Sequence, residues 1–148
     1  MQNLSLFFER NKTFAPLFLR VGIGIVFLLF GFQKLSSPSQ TTAEIQLLVE
    51  FLNLAAASAI NFYLGITEVA IALGLLVGMK TRVFALLASL MTMLFFVSFI
   101  VKLGASINPD LYRDVGLTGG ALALLFLGGG KWSWDERKAN IQGVTPQQ

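Results

Sequence analysis

The 148-residue chain predicts an all-α fold. The specific form is a polytopic membrane four-helix bundle with an extra interfacial helix after the first span, all one membrane domain over 1–148. Three observations predict it. First, 55% of residues are hydrophobic and mean hydropathy is +0.71, while only 13% are charged, about half the usual soluble share. A soluble chain this small has too little interior to hide so much apolar surface. Second, the apolar residues are gathered into blocks of about 15 to 20, which is the membrane signature. Third, Lys and Arg sit singly between those blocks, where they orient spans. A nucleic-acid partner is excluded, because it calls for a basic stripe or cluster and none is present.

The chain has neither cysteine nor histidine. That removes disulfides, thiol redox chemistry, histidine metal sites, imidazole acid–base catalysis and the commonest haem ligands.

Residues 1–15 are mixed, with Arg10 and Lys12 preceding the first apolar block. The start is signal-peptide-like, but no small-x-small cleavage site follows and three more apolar blocks do, so the reading is a retained span. Pro16 fits a first helical turn, where its missing N–H costs nothing, and span one is 16–35. Gly22, Gly24 and Gly31 thin it for close approach of a neighbour. Residues 36–42 read as a loop, and Thr41 with Glu44 has capping-box spacing. The interfacial helix, 43–57, puts Ile45, Leu48, Val49 and Leu52 on one face and is too polar at its start to span.

Span two is 61–79, with Asn61 as a candidate cap and Glu68 inside the apolar run. Gly74 and Gly78 make a small-x-x-x-small pair. The link Lys80-Thr81-Arg82 is short enough to demand an antiparallel hairpin with span three, 83–101. Asn108, Pro109 and Asp110 read as cap, first-turn proline and first-turn acid of span four, 109–130. At the standard rise that helix is about 33 Å long. Gly116 and Gly120 form another close-packing pair. Gly128-Gly129-Gly130 ends it, Lys131, Trp132 and Trp134 form an interfacial belt, and a polar, frayed tail is expected from Asp135.

Four spans put both termini and the Lys80–Arg82 link on one side. Eight basic residues lie there (Arg10, Lys12, Arg20, Lys80, Arg82, Lys131, Arg137, Lys138) against three opposite (Lys34, Lys102, Arg113). The positive-inside rule then places both termini in the cytoplasm.

A charge inside a span costs about 2.5–3.5 kcal/mol at the helix centre even on insertion scales, so each one calls for a partner or a task. Glu68 lies near the middle of span two. Its structural reading is a carboxylate satisfied by Arg20, Lys34 or another polar group. Its functional reading is a proton-exchanging or ligand-anchoring group. Either basic side chain would have to reach about 10 Å along the axis, so a direct pair needs tilt or a bridging water. Snorkelling to lipid phosphate explains Arg20. Lys34, Asp110, Arg113 and Asp114 gather at the outer end, as a lid-like network or as the polar rim of a pocket for a head group, quinone ring or partner. Phe32, Phe62, Tyr63 and Tyr112 fall at the same level as candidate walls. The candidate ligand-binding set is therefore Arg20, Lys34, Glu68, Tyr63, Tyr112, Arg113 and Asp114. No catalytic set, metal spacing or phosphate loop is present; Gly128-Gly129-Gly130-Lys131 lacks the G-x-x-x-x-G-K-[ST] order.

These residues together resemble the DoxX family of small four-helix membrane proteins. Span one carries Leu19-Arg20-Val21-Gly22, Phe27, Gly31 and Lys34-Leu35. Span two carries Glu68, Leu73-Gly74-Leu75-Leu76, Gly78 and Thr81-Arg82. The last span follows Asp114 and closes on Gly128 and Gly130 with Asp135 downstream. The resemblance implies a bacterial or archaeal plasma-membrane protein. The namesake group is tied to a thiosulfate:quinone oxidoreductase, and relatives to membrane oxidoreductase assemblies and stress responses. It implies a bound quinone or lipid and a membrane or peripheral oxidoreductase partner. No redox centre is intrinsic to the chain, so electron transfer requires an external cofactor or subunit.

Three functions compete. The first is a subunit holding a quinone or lipid-like ligand for an oxidoreductase assembly. The second is a small proton-coupled transporter or permeability factor working through Glu68, although no inverted repeat is visible. The third is a non-catalytic assembly partner or homo-oligomer packed through its glycine faces.

Overall fold

The computed structural model describes residues 2–54, 56–104 and 109–141, and within them the side chains of all but 2, 3, 42–44 and 109–111. Every element described is helical. The order is α1 (Gln2–Asn11), a 3-10 turn over Lys12–Phe14, α2 (Ala15–Ser36), α3 (Pro38–Phe51), α4 (Ala57–Val77), α5 (Thr81–Leu103), α6 (Pro109–Leu127) and α7 (Trp134–Ile141). Three helical runs are long and apolar enough to cross a membrane: Leu4–Ser36, Ala57–Val77 and Thr81–Leu103. The protein is an all-α polytopic integral membrane protein.

α2 packs chiefly on α4, and α5 on α6. The two pairs close on one apolar core made of Ile23 and Phe27 from α2, Ile71, Ala72 and Leu75 from α4, Ala85 and Ala88 from α5, and Ala121 and Leu124 from α6. Alanine at the centre lets backbones approach where larger side chains would hold them apart. The α2–α4 seam is the tightest. A Cβ on Gly31 would come within 2.9 Å of the Gly65 carbonyl oxygen and the Val69 nitrogen, and one on Gly65 within 3.1 Å of the Lys34 Cβ. Gly24 meets Leu76 in the same way, whereas Gly22 faces open space. Of the two expected glycine pairs, Gly74 does lie against the Phe84 ring, but Gly78 is a left-handed helix cap at φ +75°. Gly116 contacts nothing within 4 Å, and Gly120 makes only ordinary contact with Ile23.

Several boundaries differ from those read in the sequence. Residues 38–42 are helix, because Pro38 at the first position of α3 is already in helical φ and needs no N–H there. Thr41 is therefore inside α3, donating its hydroxyl to Asn61 Oδ1 at 2.9 Å, and is not a cap; the Glu44 side chain lies outside the described residues. Ile45, Leu48 and Val49 are buried against Phe95 and Phe99 of α5, while Leu52 is exposed. So α3 is folded onto the ends of the long helices. α4 begins at Ala57, which puts Asn61 in its interior. The expected frayed tail is helical over Trp134–Ile141, and its residues beyond Ile141 lie outside the described residues, as does the expected cap Asn108.

Candidate functional site

Two polar centres are built into opposite ends of the helices. At the first, the Lys34 Nζ donates to both oxygens of Glu68, at 2.8 and 2.9 Å. This direct pair is shorter than the axial offset read from the sequence allowed. The close α2–α4 seam explains it. Lys34 sits beside Gly65, and Glu68 is three residues further along α4, about 4.5 Å of rise, well within the reach of a lysine. The lysine stem is steered by its own backbone: Asn61 Nδ2 donates to the Lys34 carbonyl at 3.3 Å. With its Thr41 contact, Asn61 ties together α2, α3 and α4 behind the ion pair. Sequence reasoning took Asn61 for a cap; its place four residues inside α4 and seven before Glu68 was the available signal.

From α6, the Arg113 Nε donates to Asp114 Oδ1 at 2.9 Å. The guanidinium lies 4.3 Å from the centroid of Phe30, which also faces Lys34 Nζ at 5.5 Å, and Phe95 faces that ammonium at 5.8 Å. Aromatic faces carry negative charge density and stabilise desolvated cations. Thr118 donates to the Asp114 carbonyl at 2.7 Å and meets the Thr92 hydroxyl at 2.8 Å, joining α6 to α5 beneath the acid.

These four charged residues surround one cavity, completed by Val26, Phe27, Phe30, Met91, Thr92, Phe95 and Leu117. Lys34, Glu68 and Asp114 are nearly wholly buried; the Arg113 side chain is 27% exposed and forms the mouth. The cavity holds about 30 Å³. A water needs about 10–15 Å³ by this measure, so it takes about two waters or the polar tip of a larger molecule. A whole ring needs a pocket of several hundred Å³.

Of the seven sequence-predicted site residues, the structure thus brings together Lys34, Glu68, Arg113 and Asp114. Tyr63 and Tyr112 are exposed and line no part of this cavity, as are Phe32 and Phe62. They share its depth but not its direction. At about 100° per residue, Tyr112 points some 200° around α6 from Asp114. The Asp110 side chain lies outside the described residues.

Arg20 belongs to the second centre, fourteen residues or about 21 Å down α2 from Lys34. It does not reach lipid phosphate: it is 1% exposed, and its Nη2 donates to the Trp132 carbonyl at 3.1 Å. The cause is Gly78, whose missing side chain leaves the space the guanidinium fills. Nε and Nη1 are buried with no acceptor among the described residues. Beside it the Asp135 carboxylate accepts from the backbone N–H of Lys80 and of Thr81, at 2.7 and 2.8 Å. It caps α5 and holds Lys80 at φ +47°, a conformation a lysine seldom keeps unaided. Ser133 caps α7 through Glu136 N–H at 3.1 Å. The Arg20 centre clasps the 131–135 segment to α2 and to the α4–α5 turn, a structural task.

Among the described residues no group of three or more Asp and Glu side chains is placed to hold a metal. Comparison with curated proteins and with solved structures finds no match. The DoxX family model matches residues 15–102, which contain Arg20, Lys34 and Glu68 and stop short of Arg113 and Asp114. That stretch is more than half of the chain, and it carries the buried pair together with the glycine seam that sets it, so the protein belongs to the DoxX family.

Proposed function

We propose that the chain is a DoxX-like membrane subunit that receives a quinone or lipid-like ligand at the Lys34–Glu68–Arg113–Asp114 cavity, in support of a membrane oxidoreductase assembly. In this reading α6 is the fourth span, and both termini face the cytoplasm of a bacterial or archaeal cell. The observation that carries it is the charge balance of the cavity: two cations and two carboxylates, three of them almost fully buried.

Charges cost most when buried unpaired. An anionic head would leave this cluster with an excess negative charge in a low dielectric, whereas a neutral head leaves the balance intact. A quinone carbonyl can accept from Lys34 or Arg113, and a quinol hydroxyl can donate to Glu68 or Asp114. The donor set fits such a ligand, and the volume fits its polar end. When bound, the quinone supplies the redox chemistry. The chain's own residues orient its head and keep bulk water out.

The test is to purify the protein in mild detergent, extract it for bound quinone, and follow its melting as a soluble ubiquinone or menaquinone analogue is added. Co-purified quinone or a saturable rise in melting temperature, abolished in Arg113→Ala, supports the reading. No bound quinone with unchanged melting overturns it. The same water-sized space beside a buried carboxylate favours a second reading, a proton-coupled transporter; unchanged proton flux in Glu68→Gln proteoliposomes would remove it.

A further inference from the structure

We propose that α1 is an in-plane membrane-surface helix that binds the anionic headgroup layer at the Arg20 end of the molecule. Four observations lead there. The helical run Leu4–Ser36 is 33 residues long, about 50 Å at the standard rise against a hydrocarbon core of about 30 Å. α2 alone covers the core, with its 22 residues spanning about 33 Å. α1 therefore lies outside the hydrocarbon.

The depth at which it emerges is marked. Phe14 stacks on Trp132 with ring centroids 6.3 Å apart, and Trp134 is exposed beside them. Aromatic rings of this kind settle at the headgroup level. α1 ends three residues before Phe14, separated from α2 by the 3-10 turn.

The surface of α1 suits that location. Leu4, Phe7 and Phe8 recur at i, i+3 and i+4 on one face, with Ser5 and Arg10 at its margins and Glu9 opposite, beside a single apolar residue, Leu6. Leu4, Phe7 and Phe8 are 59–63% exposed, and among the described residues α1 packs chiefly on the adjoining turn. A water-facing helix has no reason to display them. Nor is a ten-residue helix large enough for a stable protein partner, which takes about 800 Å² from each side.

Charge names the occupant. The elements at this end carry Arg10, Lys12, Lys80, Arg82, Lys131, Arg137 and Lys138 against Glu9, Asp135 and Glu136, an excess of four positive charges beyond the buried Arg20. α1 itself carries one charge of each sign, Glu9 and Arg10, so the attraction to anionic lipid comes from this end of the molecule as a whole, and it holds the apolar face of α1 at the acyl boundary.

The chain lacks cysteine, so single cysteines can be placed without removing any. Leu4→Cys, Phe8→Cys, Leu6→Cys and Glu9→Cys are labelled with an environment-sensitive fluorophore in the full chain. Each is reconstituted in phosphatidylcholine vesicles with and without phosphatidylglycerol. The proposal expects labels at positions 4 and 8 to be blue-shifted and severalfold less quenched by aqueous iodide than those at 6 and 9, on the far side of the helix. It also expects the contrast to grow with phosphatidylglycerol and to shrink when Arg10 and Lys12 are changed to Gln. Equal iodide access at all four positions overturns it. So does protection at 4 and 8 that fades as the protein is diluted in lipid, since that result assigns the face to a second copy. Far-ultraviolet dichroism and melting of each variant show that the rest of the molecule is intact.

Discussion

Breaking the Lys34–Glu68 pair from one side is expected to cost far more than deleting it from both. In Lys34→Met the apolar stem is kept and the ammonium lost, leaving a Glu68 carboxylate whose side chain is 7% exposed with its two hydrogen bonds at 2.8 and 2.9 Å removed. Removing one partner of a buried pair costs about 3–5 kcal/mol, while replacing both by apolar groups is near neutral or stabilising. The cavity beside Glu68 has room for water, so the lower edge applies, about 3 kcal/mol. That is more than a hundredfold in the unfolding equilibrium, at about 1.4 kcal/mol per factor of ten. Glu68→Met is expected to cost about as much, and the double variant to return to within about 1 kcal/mol of the parent, giving a coupling energy of about 5 kcal/mol or more. The assay is equilibrium unfolding by sodium dodecyl sulfate in mixed micelles, read by helical dichroism and by Trp132 and Trp134 fluorescence. If Lys34→Met falls within about 0.5 kcal/mol of the parent and its effect adds to that of Glu68→Met, the pair is not desolvated as described.

Gly31→Ala is expected to destabilise by about 1–3 kcal/mol, because the new Cβ meets backbone atoms of Gly65 and Val69 that cannot swing away; Gly22→Ala, facing open space, is its near-neutral control, and melting temperature separates them. Asp135→Ala removes both acceptors at the start of α5 and is expected to cost about 0.5–2 kcal/mol, with faster amide exchange at Lys80 and Thr81. Gly78→Ala forces a left-handed alanine into the space of the Arg20 guanidinium, and is expected to lower the melting temperature well below that of Gly22→Ala.

The residues that form the cavity were legible because a charge in an apolar block stands out. Lys34, Glu68, Arg113 and Asp114 were each found that way. Their direct contact was not, since register depends on how closely α2 and α4 approach at Gly31 and Gly65, which only packing decides. Tyr63 and Tyr112 were placed by depth alone; rotation about the helix axis carries them away from the cavity. Arg20 was assigned to lipid for want of any sign that residues 131–135 fold back over it. The carboxylate of Asp135 and the hydroxyl of Ser133 are local caps whose effects reach Lys80 and α7, and α7 was missed because a short polar helix has no apolar stripe until it docks. α1 was missed for the converse reason: Leu4, Phe7 and Phe8 are too few to announce a span, though three at helical spacing suffice for a surface helix. The polar stretch 36–42 reads as a loop because it has no apolar stripe, yet Pro38 at the first helical position starts α3 five residues before the expected 43.

The central claim is that a neutral polar head enters the cavity shared by α2, α4, α5 and α6. Photolabelling with an azido-quinone in vesicles, followed by mass mapping of the modified residues, tests it most directly. Adducts are expected on Phe30, Met91 and neighbouring cavity residues, competed by unlabelled quinone and lost in Arg113→Ala. Saturable labelling confined to the exposed faces around Tyr63 or Tyr112, with the cavity unmodified, would contradict it.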